Sequence, residues 1–137
     1  MFTIGAVSRR TGVKIPTIRF YEESGLLAPA ERTGGNQRRY TEQAVERLGF
    51  IRRARELGFS IEAIGSLIEL SGHPEMSCSE ASRIAREQLA RVRERIAILT
   101  RLEGELSRIS ASCDDGSIEQ CHVLRALADQ ALGRPEG

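Results

Sequence analysis

The sequence predicts a mainly α-helical chain, with a compact N-terminal unit of short helices and one small β-ribbon. A single long amphipathic helix follows, then a short C-terminal loop and helix. Three observations carry this expectation. Between Ser79 and Ser112 there is no proline and a single glycine, Gly104, while apolar residues recur at Ala85, Leu89, Val92, Ile96 and Leu99 in alternating steps of four and three. That spacing is the seam of a coiled coil. The chain before residue 74 is instead cut into short pieces by Gly12, Pro16, Gly25, Pro29, Gly58 and Gly72. One piece, Glu31 to Tyr40, sets Gly34-Gly35-Asn36 before Arg38 and Arg39, a turn between two strands with a cationic tip.

Taken in order, Thr3 caps a first helix through Ile4, Ala6 and Val7, and Gly12 ends it in the left-handed conformation. Pro16 suits the first turn of a second helix that runs through Ile18, Phe20 and Tyr21 to Ser24, closed by Gly25. Two short helices about a glycine turn, the second bearing Lys14, Thr17, Arg19 and Tyr21, have the form of a helix-turn-helix. The ribbon with Arg38, Arg39 and Tyr40 adds a wing beside the groove-reading helix, giving phosphate contacts next to a base reader. Thr41 opens a further helix through Val45, Leu48, Ile51 and Ala54. Ser60 opens another through Ile61, Ile64, Leu67 and Ile68, which Ser71-Gly72-His73-Pro74 terminates as a hinge. The division expected is 1–74 for DNA binding, 75–112 for dimerisation and 113–137 for a metal-binding loop and helix.

Composition and charge point the same way. With 40% hydrophobic but only 4% aromatic residues, a monomer would have a thin core, and a long amphipathic helix needs a partner for its seam. The formal net charge of +1 hides an asymmetry: from Arg9 to Arg55 there are eleven basic and five acidic side chains, so the basic end is N-terminal. No apolar run approaches the roughly 18 residues of a membrane span and the N-terminus lacks the pattern of a signal peptide, so a cytoplasmic protein is expected. In that compartment the three cysteines are not expected to form structural disulfides.

The cysteines are placed by the long helix. Ala85, Val92, Leu99, Leu106 and Cys113 follow one another at intervals of seven. A helix from Cys78 to Cys113 is roughly 50 Å long, so these two thiols share a site only between two copies. Antiparallel pairing about a two-fold axis sets Cys78 of one copy beside Cys113 and Cys121 of the other, at two equivalent sites. Thiolates favour soft cations over magnesium or calcium. Three of them hold mercury or lead in three-coordination, and His122 would complete a tetrahedral site for zinc or cadmium, although His122 reads more simply as an exposed residue of the last helix. Asp114 and Asp115 read as loop solvation, and no catalytic constellation is present, so an enzyme is not expected.

The ordered series Thr3-Ile-Gly-Ala-Val, Thr17-Ile-Arg-Phe-Tyr-Glu22, Gly25-Leu-Leu, Gly35-Asn-Gln-Arg-Arg-Tyr40, Phe50-Ile-Arg-Arg-Ala and Leu57-Gly-Phe-Ser-Ile resembles the MerR family of bacterial transcriptional regulators, in its metal-responsive branch. The resemblance implies a homodimer with a winged helix-turn-helix at each end of an antiparallel coiled coil. It implies promoter DNA and RNA polymerase as partners, and activation by changing the twist and bend of an over-long promoter spacer when effector binds. By position, Lys14, Thr17, Arg19 and Tyr21 fall on or at the groove-facing helix and Arg38, Arg39 and Tyr40 on the wing. The resemblance also favours a divalent soft ion (zinc, cadmium, lead or mercury) at Cys78, Cys113 and Cys121, since copper-sensing relatives have serine at the position of Cys78. The spacing from Cys113 to Cys121 is closer to the copper-sensing loops, so a monovalent copper sensor stands as the alternative. A thiol-redox regulator and a protein with a purely structural zinc are the other two.

Overall fold

The computed structural model describes residues 1–32, 34–35, 37–111 and 116–133. Its elements are α1 (Ile4–Thr11), α2 (Ile15–Glu23), β1 (Glu31–Arg32), β2 (Arg38–Arg39), α3 (Glu42–Glu56), α4 (Ile61–Ser71), α5 (Ser79–Ala111), a short 3-10 turn (Ile118–Gln120) and α6 (His122–Gly133). The chain forms two compact units, Met1–Gln88 and Leu89–Gly137.

Local chemistry sets most boundaries of the first unit. The hydroxyls of Thr3, Thr41 and Ser60 accept from the N–H groups of Ala6, Ala44 and Ala63, each at 3.1 Å, satisfying donors that the first turn of a helix leaves unpaired. Pro16 lies in the first turn of α2, where its missing N–H costs nothing. Gly12, at φ +75°, ends α1 and donates to the carbonyl of Ser8; the left-handed backbone there suits glycine. After Gly25 the chain folds back, so that Leu26 and Leu27 both donate to the carbonyl of Tyr21.

These turns bring one apolar face of each helix to a common core. Val7 of α1, Ile18 of α2, and Leu48 and Ile51 of α3 are fully buried, joined by Ile64 of α4 and by Leu27. On α3 the buried positions are Val45, Leu48, Ile51 and Ala54, as the sequence predicts. Phe20 is 50% exposed, and its ring lies 5.8 Å from that of Tyr21, tilted by 58°. On α2 the core is met by Ile18 and Tyr21, which leaves Phe20 on another side of the helix.

β1 and β2 pair antiparallel, Glu31 with Arg39 and Arg32 with Arg38. The wing is tied to the N-terminus by a bridge in which Phe2 and Tyr40 exchange backbone hydrogen bonds, both 2.8 Å. Thr33 and Asn36, at the expected wing tip, lie outside the described residues.

The start of α5 belongs to the first unit. Ile84 is buried there, and the Gln88 side-chain amide donates to the carbonyl of Leu57 at 3.0 Å. From Leu89 onward the helix belongs to the second unit, and its predicted seam is open: Leu89, Val92, Ile96, Leu99 and Leu106 are all exposed in the single chain. Among the described residues, no helix is long and apolar enough to cross a membrane.

Candidate nucleic-acid interface and thiol site

The basic residues of the first unit divide into those committed to the fold and those left at the surface. Arg10 grips Glu42 with both terminal nitrogens, at 2.7 and 2.9 Å, and its guanidinium stands 4.9 Å from the ring centre of Phe2. Arg47 donates to the carbonyl of Leu26 at 3.4 Å and Arg55 to that of Phe59 at 2.9 Å. Arg52 donates to the carbonyl of Thr11 at the end of α1. Of the four arginines of α3, Arg47, Arg52, Arg53 and Arg55, three close loops and helix ends, where unpaired carbonyls need donors.

The residues predicted to meet DNA gather around α2. Arg19 is exposed, and among the described residues it has no hydrogen bond or ion pair. It lines a cavity of about 360 Å³ together with Glu22, Glu23 and Arg38 of the wing. The structure therefore sets one cation of the reader helix and one of the wing at the same opening. Lys14 and Thr17 line a second, open cavity of about 420 Å³ with Gly12, Tyr21, Arg52 and Arg55. Arg39 is half-buried and donates to the Gln37 side chain at 2.6 Å and to the Arg38 carbonyl at 3.1 Å.

Two of the residues expected at the DNA are largely buried. Tyr21 is 7% exposed and Tyr40 is 1% exposed, so neither ring stands out as a side chain reaching for DNA. Burial of an aromatic ring is among the larger apolar contributions to a small core, and this chain has few aromatic residues to supply it. The hydroxyl of Tyr40 donates to Oε1 of Glu22, while Oε2 of the same carboxylate lies 4.0 Å from Arg38 Nη1. Burial, then the bond to Glu22, pushes the Tyr40 hydroxyl up to about 12, so it remains a protonated donor. In sequence Glu22 and Glu23 stand as alternative salt-bridge partners for Arg19; Glu22 is instead taken by Tyr40 and Arg38.

The two described thiols sit at helix starts. Cys78 is exposed, and its carbonyl accepts from the N–H of Ser82 at 2.9 Å, opening α5. Cys121 is half-buried, and its carbonyl accepts from the N–H of Arg125 at 3.2 Å, opening α6. Cys78 belongs to the first compact unit and Cys121 to the second. Cys113, Asp114 and Asp115 lie outside the described residues. Among the described residues, no three His, Cys, Asp or Glu side chains form a group able to hold a metal ion. His122, the first residue of α6, is exposed. The donor chemistry of Cys78 and Cys121, two thiols at ordered helix starts, fits a soft cation.

A winged helix-turn-helix followed by a long helix defines a class of DNA-binding regulator, and the comparisons place the chain within it. Residues 2–70 match the MerR HTH family of regulatory proteins and residues 45–109 match the family described as MerR, DNA binding. The chain belongs to the MerR family of transcriptional regulators. It is 38% identical over 140 residues to the HTH-type transcriptional regulator ZntR of Escherichia coli (strain K12), covering 100% of this chain and 99% of that one. It is 40% identical over 137 residues to the mercuric resistance operon regulatory protein of Serratia marcescens, covering 98% and 92%. Among solved structures it is similar to the transcription regulator PbrR691 from Ralstonia metallidurans CH34 in complex with lead(II). There the TM-score is 0.78 and the identity 35%, over 93% of this chain and 99% of that one.

Proposed function

We propose that this member of the MerR family is a metal-responsive transcriptional regulator that activates a metal-resistance promoter by distorting operator DNA when a soft divalent ion binds. Zinc, cadmium, lead and mercury are the ions this reading admits. The observation that carries it is similarity along almost the whole chain to a mercuric resistance regulator and to a regulator crystallised with lead(II). Cys78, Cys113 and Cys121 would hold the ion, and the ion when bound supplies a cross-link between thiolates. Lys14, Thr17, Arg19, Arg38 and Arg39 contact DNA, with Tyr21 and Tyr40 supporting them from the core. The division is DNA binding through residue 74, dimerisation over 75–112 and sensing over 113–137.

The exposed seam of α5 supports a homodimer, because Leu99 and Leu106 are 61% and 63% exposed in one chain and apolar side chains at heptad spacing are stabilised by a second helix. Promoter DNA and RNA polymerase are the remaining partners, the protein works in the cytoplasm, and it is not an enzyme.

The test is transcription from a promoter with an over-long spacer, titrated with zinc, cadmium, lead, mercury and monovalent copper under reducing, metal-buffered conditions. Activation by a divalent soft ion, abolished in Cys113→Ser and Cys78→Ser while operator binding persists, is the expected result. Activation by copper alone would reverse the choice of metal. Activation by oxidants without any metal would replace metal sensing by thiol oxidation.

A further inference from the structure

The wing has little of its own to hold it in place. Its strands are two residues each, and Glu31, Arg32 and Arg38 are exposed. A ribbon this short is not stable alone, so its position relative to α2 is set by what Tyr40, at its end, is attached to. The backbone of Tyr40 is bridged to Phe2, and its hydroxyl is bonded to Glu22 near the end of α2. The Glu22 side chain is only 12% exposed. Its carboxylate is shared between two wing residues, with one oxygen on the buried Tyr40 hydroxyl and the other facing Arg38 at 4.0 Å.

We propose that Glu22 and Tyr40 are a positioning pair for operator binding: the bond between them fixes the wing against the groove-reading helix and holds Arg38 where it meets a phosphate. The inference rests on the reading of the first unit as DNA-binding. A carboxylate beside the phosphate backbone opposes binding by charge alone. Glu22 accordingly contributes through geometry, by orienting a cation and locking a strand, and its net effect on affinity is favourable. Tyr40 acts through Glu22 and does not itself touch DNA.

The experiment uses the full-length protein and a duplex enriched from a random-sequence pool by the wild type. Affinities are measured for wild type, Tyr40→Phe, Glu22→Ala and the double variant, with thermal unfolding as the check on folding. Each single variant is expected to bind about tenfold more weakly, the effect of one hydrogen bond to a charged group. Because both remove the same bond, the double variant is also expected to lose about tenfold, not about a hundredfold. Glu22→Ala binding as tightly as wild type or tighter, as charge alone predicts, overturns the proposal. Losses that multiply in the double variant overturn it as well, since Tyr40 would then act independently of Glu22. If Glu22→Ala does not fold, Tyr40→Phe decides alone, and wild-type affinity in that variant sinks the pair. A wild type that enriches no duplex removes the DNA-binding reading and this inference with it; wild-type enrichment with undiminished Tyr40→Phe binding removes this inference only.

Discussion

The guanidinium of Arg52 donates to the carbonyl oxygen of Thr11 and occupies the space into which a Cβ on Gly12 would project, 2.1 Å from Arg52 Nη1. A residue of α3 thereby closes the turn between α1 and α2. The turn is also held from within: the Thr11 hydroxyl donates to the Val7 carbonyl at 2.8 Å and accepts from the Val13 N–H at 3.1 Å, and the Ser8 hydroxyl donates to the Val13 carbonyl at 2.7 Å. The angle at which α2 leaves α1, and so its presentation to a groove, depends on this network.

Gly12→Ala should therefore destabilise the protein through two separable effects. The left-handed backbone at φ +75° costs a non-glycine residue about 1 kcal/mol. Displacing Arg52 from the Thr11 carbonyl costs about 1 kcal/mol more. In an Arg52→Ala background only the backbone cost should remain, so urea denaturation of the four proteins should give a coupling of about 1 kcal/mol. Strict additivity would mean that Arg52 moves aside freely and does not secure the turn.

Alkaline pH should reveal Tyr40. Its hydroxyl is raised from 10.0 to about 12, by burial first and the bond to Glu22 second. A group whose folded-state value is raised adds stability that is complete below its unfolded value and is lost as pH climbs toward the folded one. Stability referable to Tyr40 should hold to about pH 10 and decline between pH 10 and 12. The chain has two tyrosines and no tryptophan, so phenolate absorbance can be followed directly. One tyrosine should ionise late, and Tyr40→Phe should remove that late step. Two tyrosines ionising together near pH 10 in the folded protein would contradict the buried bond.

How much of this was readable in the chain depends on the range of the interaction. Thr3, Thr41, Ser60 and Gly12 were legible because a cap is decided by residues a few positions apart, and the seam of α5 because its period repeats. The fate of the arginines was not. Arg19 and Arg52 look alike in sequence, yet among the described residues one has no ion pair and the other answers a carbonyl 41 residues away. Tyr40 read as a wing aromatic beside two arginines; its backbone bridge to Phe2 and its bond to Glu22 are made only in the folded chain. Ile84, one position before the predicted seam, is the residue of α5 that is buried, because the first turns of that helix answer to the N-terminal unit and not to the coiled coil. Of the thiol site, the two helix starts at Cys78 and Cys121 are placed, and Cys113 stays a reading from the sequence.

The division of the cations predicts a difference in salt dependence. Arg19 is exposed without an ion pair among the described residues, whereas Arg10 is held by Glu42, whose bond keeps the Arg10 guanidinium raised and the Glu42 carboxyl below its usual range. Each phosphate neutralised contributes about 0.9 to the slope of log affinity against log salt. Arg19→Ala should weaken binding to the enriched duplex and lower that slope by about one, whereas Arg10→Ala should leave the slope at the wild-type value. Equal slopes for Arg19→Ala and wild type would take Arg19 out of the phosphate-contacting set.

The second unit makes its own prediction. Leu89, Val92, Ile96 and Leu99 of α5 are 45%, 38%, 56% and 61% exposed in one chain. An apolar stripe of this regularity is stabilised when a second helix covers it. In a two-fold pairing every substitution enters the interface twice, so Leu99→Asp places two carboxylates in a seam that offers them little water. Sedimentation of the wild type at micromolar concentration should show a dimer, and Leu99→Asp should shift it toward monomer. Arg101→Asp is the control: two residues further on, its side chain projects about 200° around the helix, and reversing its charge should leave the dimer intact. If Arg101→Asp dissociates the protein and Leu99→Asp does not, the pairing surface lies on the polar face and the heptad seam is covered by something else.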